Sequence, residues 1–69
     1  MQMLPLSSSN IAGAGYDADT RTMRVSFHSG RTYEYIMVDP ATFQGLIDSP
    51  SVGKYFNALI RPVYQGYEV

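Results

Sequence analysis

The chain has no cysteine, one histidine and little charge of either sign. Without cysteine it has neither a disulfide framework nor a thiolate metal site. A thiol nucleophile is also excluded, and the lack fits a reducing compartment. One histidine cannot supply the ligand set of a zinc site. Lys+Arg 5 stands against Asp+Glu 6, a net charge of -1. No overall field therefore favours nucleic acid or an anionic membrane, and a nucleic-acid contact would need a local patch. No stretch approaches the roughly 20 apolar residues that span a bilayer. The leading MQMLPLSSSN has no positive charge and too short an apolar run for a secretory signal. These absences predict a soluble, cytoplasmic protein with no membrane partner, no metal and no cofactor. Its 69 residues allow one domain, residues 1–69, with 1–7 a loose leading segment. A chain this short buries only about 60% of its unfolded surface, so its core is thin.

The first half reads as strands. Residues 11–16 form a candidate strand carrying Gly13 and Gly15 two apart, on one face beside Ile11. Something bulky, a helix or an aromatic ring, is expected to pack close against that face. A phosphate-cradling loop would need a third glycine and a following helix, which are missing. Asp17-Ala18-Asp19-Thr20 reads as a tight connection. Met23, Val25 and Phe27 then alternate with Thr22, Arg24 and Ser26, the period of a half-buried strand. His28-Ser29-Gly30 turns the chain and residues 33–38 return it.

Two hairpin registers compete. A two-residue Ser29-Gly30 loop sets Tyr33 opposite Ser26 and Tyr35 opposite Arg24, leaving Glu34 opposite Val25, inside. A three-residue His28-Ser29-Gly30 loop sets Val25 opposite Tyr33, Met23 opposite Tyr35 and Arg24 opposite Glu34. The second groups apolar with apolar and forms a cross-strand ion pair. It also puts Gly30 at the left-handed position of a bulged turn. The first buries Glu34 unpaired, at a cost of several kcal/mol. A one-residue slip turns every side chain over, so the registers cannot mix. The second predicts both tyrosines inward.

The second half reads as helices. Asp39 suits an N-cap and Pro40 the first helical position. Phe43, Leu46 and Ile47 share one face. Asp48-Ser49-Pro50 breaks this helix. A second begins near Ser49 or Ser51 and runs to about Arg61, with Val52, Tyr55, Phe56, Leu59 and Ile60 as its apolar stripe and Pro62 as its stop. The tail, residues 63–69, folds back with Tyr64 and Tyr67. The expected architecture is α+β, a three-stranded antiparallel β-meander packed against two short C-terminal α-helices.

The order of Ser8-Ser9-Asn10-Ile11, Gly15-Tyr16-Asp17, the alternating Met23, Val25 and Phe27, Gly30, Tyr33-x-Tyr35, Ser51-Val52-Gly53-Lys54-Tyr55-Phe56-Asn57, Ile60-Arg61 and Tyr64 resembles the KTSC domain. That family is a small bacterial and phage module, also found at the C-terminus of some lysyl-tRNA synthetases. The resemblance covers the chain from Leu6 to Tyr64, with Met23 where leucine is more usual and Asp39-Pro40 at the strand-to-helix step. It implies a fold and little chemistry. An RNA-binding role has been suggested for the family from its synthetase fusions and paired tyrosines, and fold analogy does not carry function.

Lys54, Asn57 and Arg61, three and four apart, form a polar helix stripe suited to phosphates and a base or sugar. Serine, glycine, lysine and asparagine near a helix start also suit an anion. Ser51 joins the candidate binding set on that ground, and Arg24 and Tyr64 complete it. Ser8, Ser9 and Asp17 are expected to pin the first strand through backbone hydrogen bonds. His28 stands alone at a turn, without the orienting group and nucleophile that catalysis requires. The expected function is a small noncatalytic binding module for RNA or another single-stranded nucleic acid. The alternatives are a protein-interaction or self-associating module anchored by its six tyrosines, and a small nucleotide or anion binder.

Overall fold

The bulged hairpin forms in the register that buries the tyrosines. In the computed structural model, which describes residues 1–69, Met23 pairs with Tyr35, Val25 with Tyr33 and Arg24 with Glu34. Gly30 takes a φ of 97° and donates its N–H to the Phe27 carbonyl at 3.0 Å. That is the left-handed position a side chain would strain. Met23 and Val25 are fully buried, Tyr35 is 6% exposed and Tyr33 is half-buried.

The sheet has five strands rather than three, in the antiparallel order β1 (Met3–Pro5), β2 (Ile11–Asp17), β3 (Thr22–Phe27), β4 (Thr32–Tyr35) and β5 (Gly66–Glu68). The segment expected to be loose contributes β1, and the tail contributes β5. Each is three residues long, too short for a period of two to show, and each is held by its neighbour's backbone. The glycines of β2 make room for β1. A Cβ on Gly13 would lie 2.8 Å from the Leu4 carbonyl oxygen, and one on Gly15 2.7 Å from that of Gln2. The expected bulky neighbour is thus a strand backbone, not a helix or a ring. A bulge between Ile11 and Gly13 shifts the parity of β2. Ile11 and Ala14 enter the core, and Gly13 and Gly15 face away from Ile11's side. Gly13→Ala is expected to cost about 1–3 kcal/mol by overpacking. Amide hydrogen exchange checks the cause, because β1 should lose protection before the hairpin does. Unchanged exchange in β1 would mean that the strand does not depend on this gap.

Helix α1 (Pro40–Asp48) buries Leu46 and stacks Phe43 on Tyr16 at 5.1 Å. Asp39 stands at the N-cap position but makes no side-chain cap bond, and its carboxylate reaches Arg21 at 3.3 Å instead. The second helix is not α-helical throughout. Helix α2 (Val52–Tyr55) passes into a π turn (Phe56–Ile60), where the Arg61 N–H bonds to the Phe56 carbonyl at 2.9 Å. A stripe of apolar residues is compatible with one wider turn, so the pattern did not reveal it. Val52, Phe56 and Ile60 face the sheet and join Leu46, Val38, Ile11, Ala14, Met23, Val25 and Tyr35 in one core. No helix is long and apolar enough to cross a membrane.

Candidate functional site

The helical layer is shorter than the sheet it covers, and the tip of the β3–β4 hairpin is left open. A cleft of about 740 Å³ lies there, between the hairpin tip, the loop ahead of β2 and the π turn. Its floor is a run of aromatic edges. Phe27 meets Tyr33 edge-to-face at 5.9 Å and Phe56 at 5.6 Å, and Phe56 meets Tyr35 at 5.7 Å. These contacts fix the rings at preferred T-shaped geometry. Strand parity puts Phe27, Arg31 and Tyr33 on one face, because the Phe27 N–H donates to the Arg31 carbonyl across the turn.

The walls are polar and tied down. The Ser8 hydroxyl accepts from the N–H groups of Asn10 and Ile11, each at 3.3 Å. The His28 Nε2–H donates to the Ser8 carbonyl at 3.0 Å, and the His28 N–H to the Asn10 carbonyl at 2.9 Å. Ser8 thus acts as expected. Asp17 instead turns its own loop, accepting from the Asp19 N–H at 3.0 Å. A second, shallower depression of about 350 Å³ adjoins the first, and Ser9, Asn10, Gly53 and Asn57 line both. Ser51 and Lys54 line the second alone.

Charge is segregated. Of the five cationic side chains, Arg21 pairs with Asp39 and Arg24 with Glu34. The other three, Arg31, Lys54 and Arg61, make no ion pair, and all three line these depressions. No acidic residue lines either one. Opposed carboxylates would have cancelled the local field. Their absence makes the patch cationic on a chain whose net charge is -1. Arg61 stands close enough to the floor to be felt there. Burial raises the Tyr35 phenol above its ordinary 10, Tyr33 adds to the rise and Arg61 opposes it. The phenol therefore stays neutral through the physiological range.

The expected site residues divide. Asn57 and Arg61 meet in the main cleft, and Ser51 and Lys54 lie in the second depression that Asn57 also lines. Arg24 lies outside the site. Its neighbours Met23 and Val25 face the helices, so it points to the other face of the sheet, where its Nε donates to Glu34 at 2.8 Å. Tyr64 also lies outside, half-buried, with its hydroxyl 3.3 Å from that of Thr42 on α1. Arg31, Asn10 and Phe27 also line the cleft and are missing from the expected set. A three-residue loop at 28–30 puts Arg31 opposite Phe27, so the register carried the signal for that pair. Nothing local marked Asn10.

A family model described as the KTSC domain matches residues 7–64. A protein of Stutzerimonas stutzeri is 34% identical over 67 residues, covering 97% of this chain and 94% of the other. The lysine–tRNA ligase of Nostoc punctiforme is 36% identical over 59 residues, which are 86% of this chain and 10% of the ligase. The crystal structure of a KTSC domain protein from Yersinia pestis superposes with a TM-score of 0.92 at 32% identity, covering 99% of this chain and 96% of that one.

Proposed function

The chain belongs to the KTSC domain family, and from that premise we propose that it is a noncatalytic binding module for single-stranded nucleic acid, RNA in particular. The observation that carries this reading is the convergence of the three unpaired cations on two adjoining acid-free depressions, the larger of which has an aromatic floor. A cationic track beside aromatic rings is how single strands are held without sequence preference, phosphates on the cations and bases on the rings. Tyr33 and Phe27 are half-buried, so each keeps part of its ring for a base. The occurrence of a similar segment in a lysine–tRNA ligase fits a role beside RNA. The His28 ring is committed to a backbone carbonyl, and no carboxylate stands in the cleft to work with it. Those parts support binding rather than catalysis.

Fluorescence anisotropy with a short labelled single-stranded RNA tests the reading. Three cations neutralising three phosphates give log Kd against log salt a slope of magnitude about 2. A salt-independent affinity, or no binding at low salt with a dimeric elution mass, would sink the RNA reading and favour a protein interface.

A further inference from the structure

Gly53 is a glycine that the fold does not ask for. It lies within α2, and its φ is outside the left-handed region. A Cβ built there would find a single atom within 4 Å, the Ser8 hydroxyl oxygen at 3.9 Å, which is ordinary contact. The contrast with Gly13 and Gly15 is direct, since a Cβ at either of those would strike backbone. Glycine inside a helix weakens it relative to alanine. Position 53 therefore gives up stability with no packing or conformational return.

Its location supplies a reason. Gly53 lines both depressions and so lies on the ridge they share, as do Ser9, Asn10 and Asn57, the last in the π turn that follows α2. Arg31 and Arg61 stand in the depression on one side and Lys54 in that on the other. Neither asparagine side chain is engaged in a hydrogen bond within the chain, and Asn10 is held in place through its backbone. The ridge thus has a bare floor, amide groups on both flanks and cations at both ends.

We propose that Gly53 is a crossing point: the sugar–phosphate backbone of a bound single strand passes over it from the Arg31–Arg61 cleft to Lys54, with Asn10 and Asn57 flanking the crossing. This deepens the nucleic-acid reading and rests on it. The missing side chain lets a ligand backbone approach the helix closely, a use to which glycine is suited. The occupant we commit to is a continuous strand, because the unpaired cations lie on both sides of the ridge and each successive nucleotide of a strand brings a phosphate to the next of them.

The proposal requires stability and binding to move in opposite directions. Gly53→Ala should raise Tm by about 4 °C. Gly53→Leu should keep at least the wild-type Tm, because leucine favours helix and its Cβ meets only the Ser8 hydroxyl, at 3.9 Å. It should nevertheless weaken binding of a single-stranded RNA hexamer about tenfold, as expected for a blocked track. A dinucleotide, too short to cross the ridge, should lose less affinity to Gly53→Leu than the hexamer does. On wild type alone, affinity should climb from the dinucleotide to the hexamer, so the result does not depend on any variant folding. If wild type binds RNA with the stated salt slope but gains nothing beyond the dinucleotide, or if Gly53→Leu binds the hexamer as wild type does, the crossing is wrong and the cleft stands. If wild type binds no single strand, both readings fall.

Discussion

Replacing Arg31 and Arg61 together by glutamate is expected to weaken RNA binding at least a hundredfold while leaving the fold intact. Both guanidinium groups are exposed and make no ion pair, so the native state loses no partner when they go. A hydrogen bond to a charged group is worth about 1.5–3 kcal/mol, and two such contacts account for a factor of about 10² or more at 1.4 kcal/mol per decade. The added carboxylates repel phosphate as well. The sequence pattern couples Arg61 with Lys54 on one helix face, whereas the structure puts Arg61 in one cleft with Arg31 and Lys54 in the adjoining depression. Arg24→Glu serves as the control, being outside the site on the opposite face. Anisotropy titrations at fixed low salt read the affinity, and thermal melting reads the fold. If the double variant binds as wild type does, or if Arg24→Glu weakens binding as much, the cleft is not the interface.

The second large effect is on stability. Tyr35→Ala is expected to cost about 3–5 kcal/mol, the usual range for truncating a buried large aromatic. The ring is 6% exposed and edge-on to Phe56, and it is covered so closely from β5 that a Cβ on Gly66 would lie 2.5 Å from it. Removing it opens the space between the sheet, the π turn and β5 at once. A domain of this size has only about 3–10 kcal/mol to lose, at 0.05–0.15 kcal/mol per residue. The variant should therefore be partly unfolded at growth temperature. Tyr35→Phe keeps the ring and should cost less than about 1.5 kcal/mol. Chemical denaturation separates the two, with the midpoint carrying the difference. A change below about 1 kcal/mol for Tyr35→Ala would show that the ring is peripheral to the core.

The inward direction of the tyrosines was legible, but its consequence was not. Alternation and turn chemistry decided that Tyr33 and Tyr35 share a face with Val25 and Met23, because the other register buries a carboxylate. A ring on that face has two possible uses, packing and ligand contact. The structure dissolves the choice. The same face is core and cleft floor at once: Tyr35, buried beneath the helices, lines the cleft together with the more exposed Tyr33 and Phe27. How far a helical layer reaches along a sheet depends on helix length and packing angle, which no local pattern encodes. The π turn and the two edge strands were hidden for a related reason. Each is a matter of which backbone carbonyl a given N–H meets, and side-chain periodicity is nearly blind to that.

By itself the sequence determined what depends on neighbours a few residues apart. It settled the hairpin register through Gly30 and Glu34, the start of α1 at Pro40, the end of the second helix at Pro62 and the Arg24–Glu34 pair. It also carried the family pattern. Only the tertiary structure decided what depends on distant segments meeting. Leu4 lies against Gly13, Gly66 packs against the Tyr35 ring, and Arg31 and Arg61, some thirty residues apart in the chain, line one cleft. Local preferences are set by sterics and hydrogen bonds within a turn or two, whereas a cleft is the space left when remote surfaces finish packing.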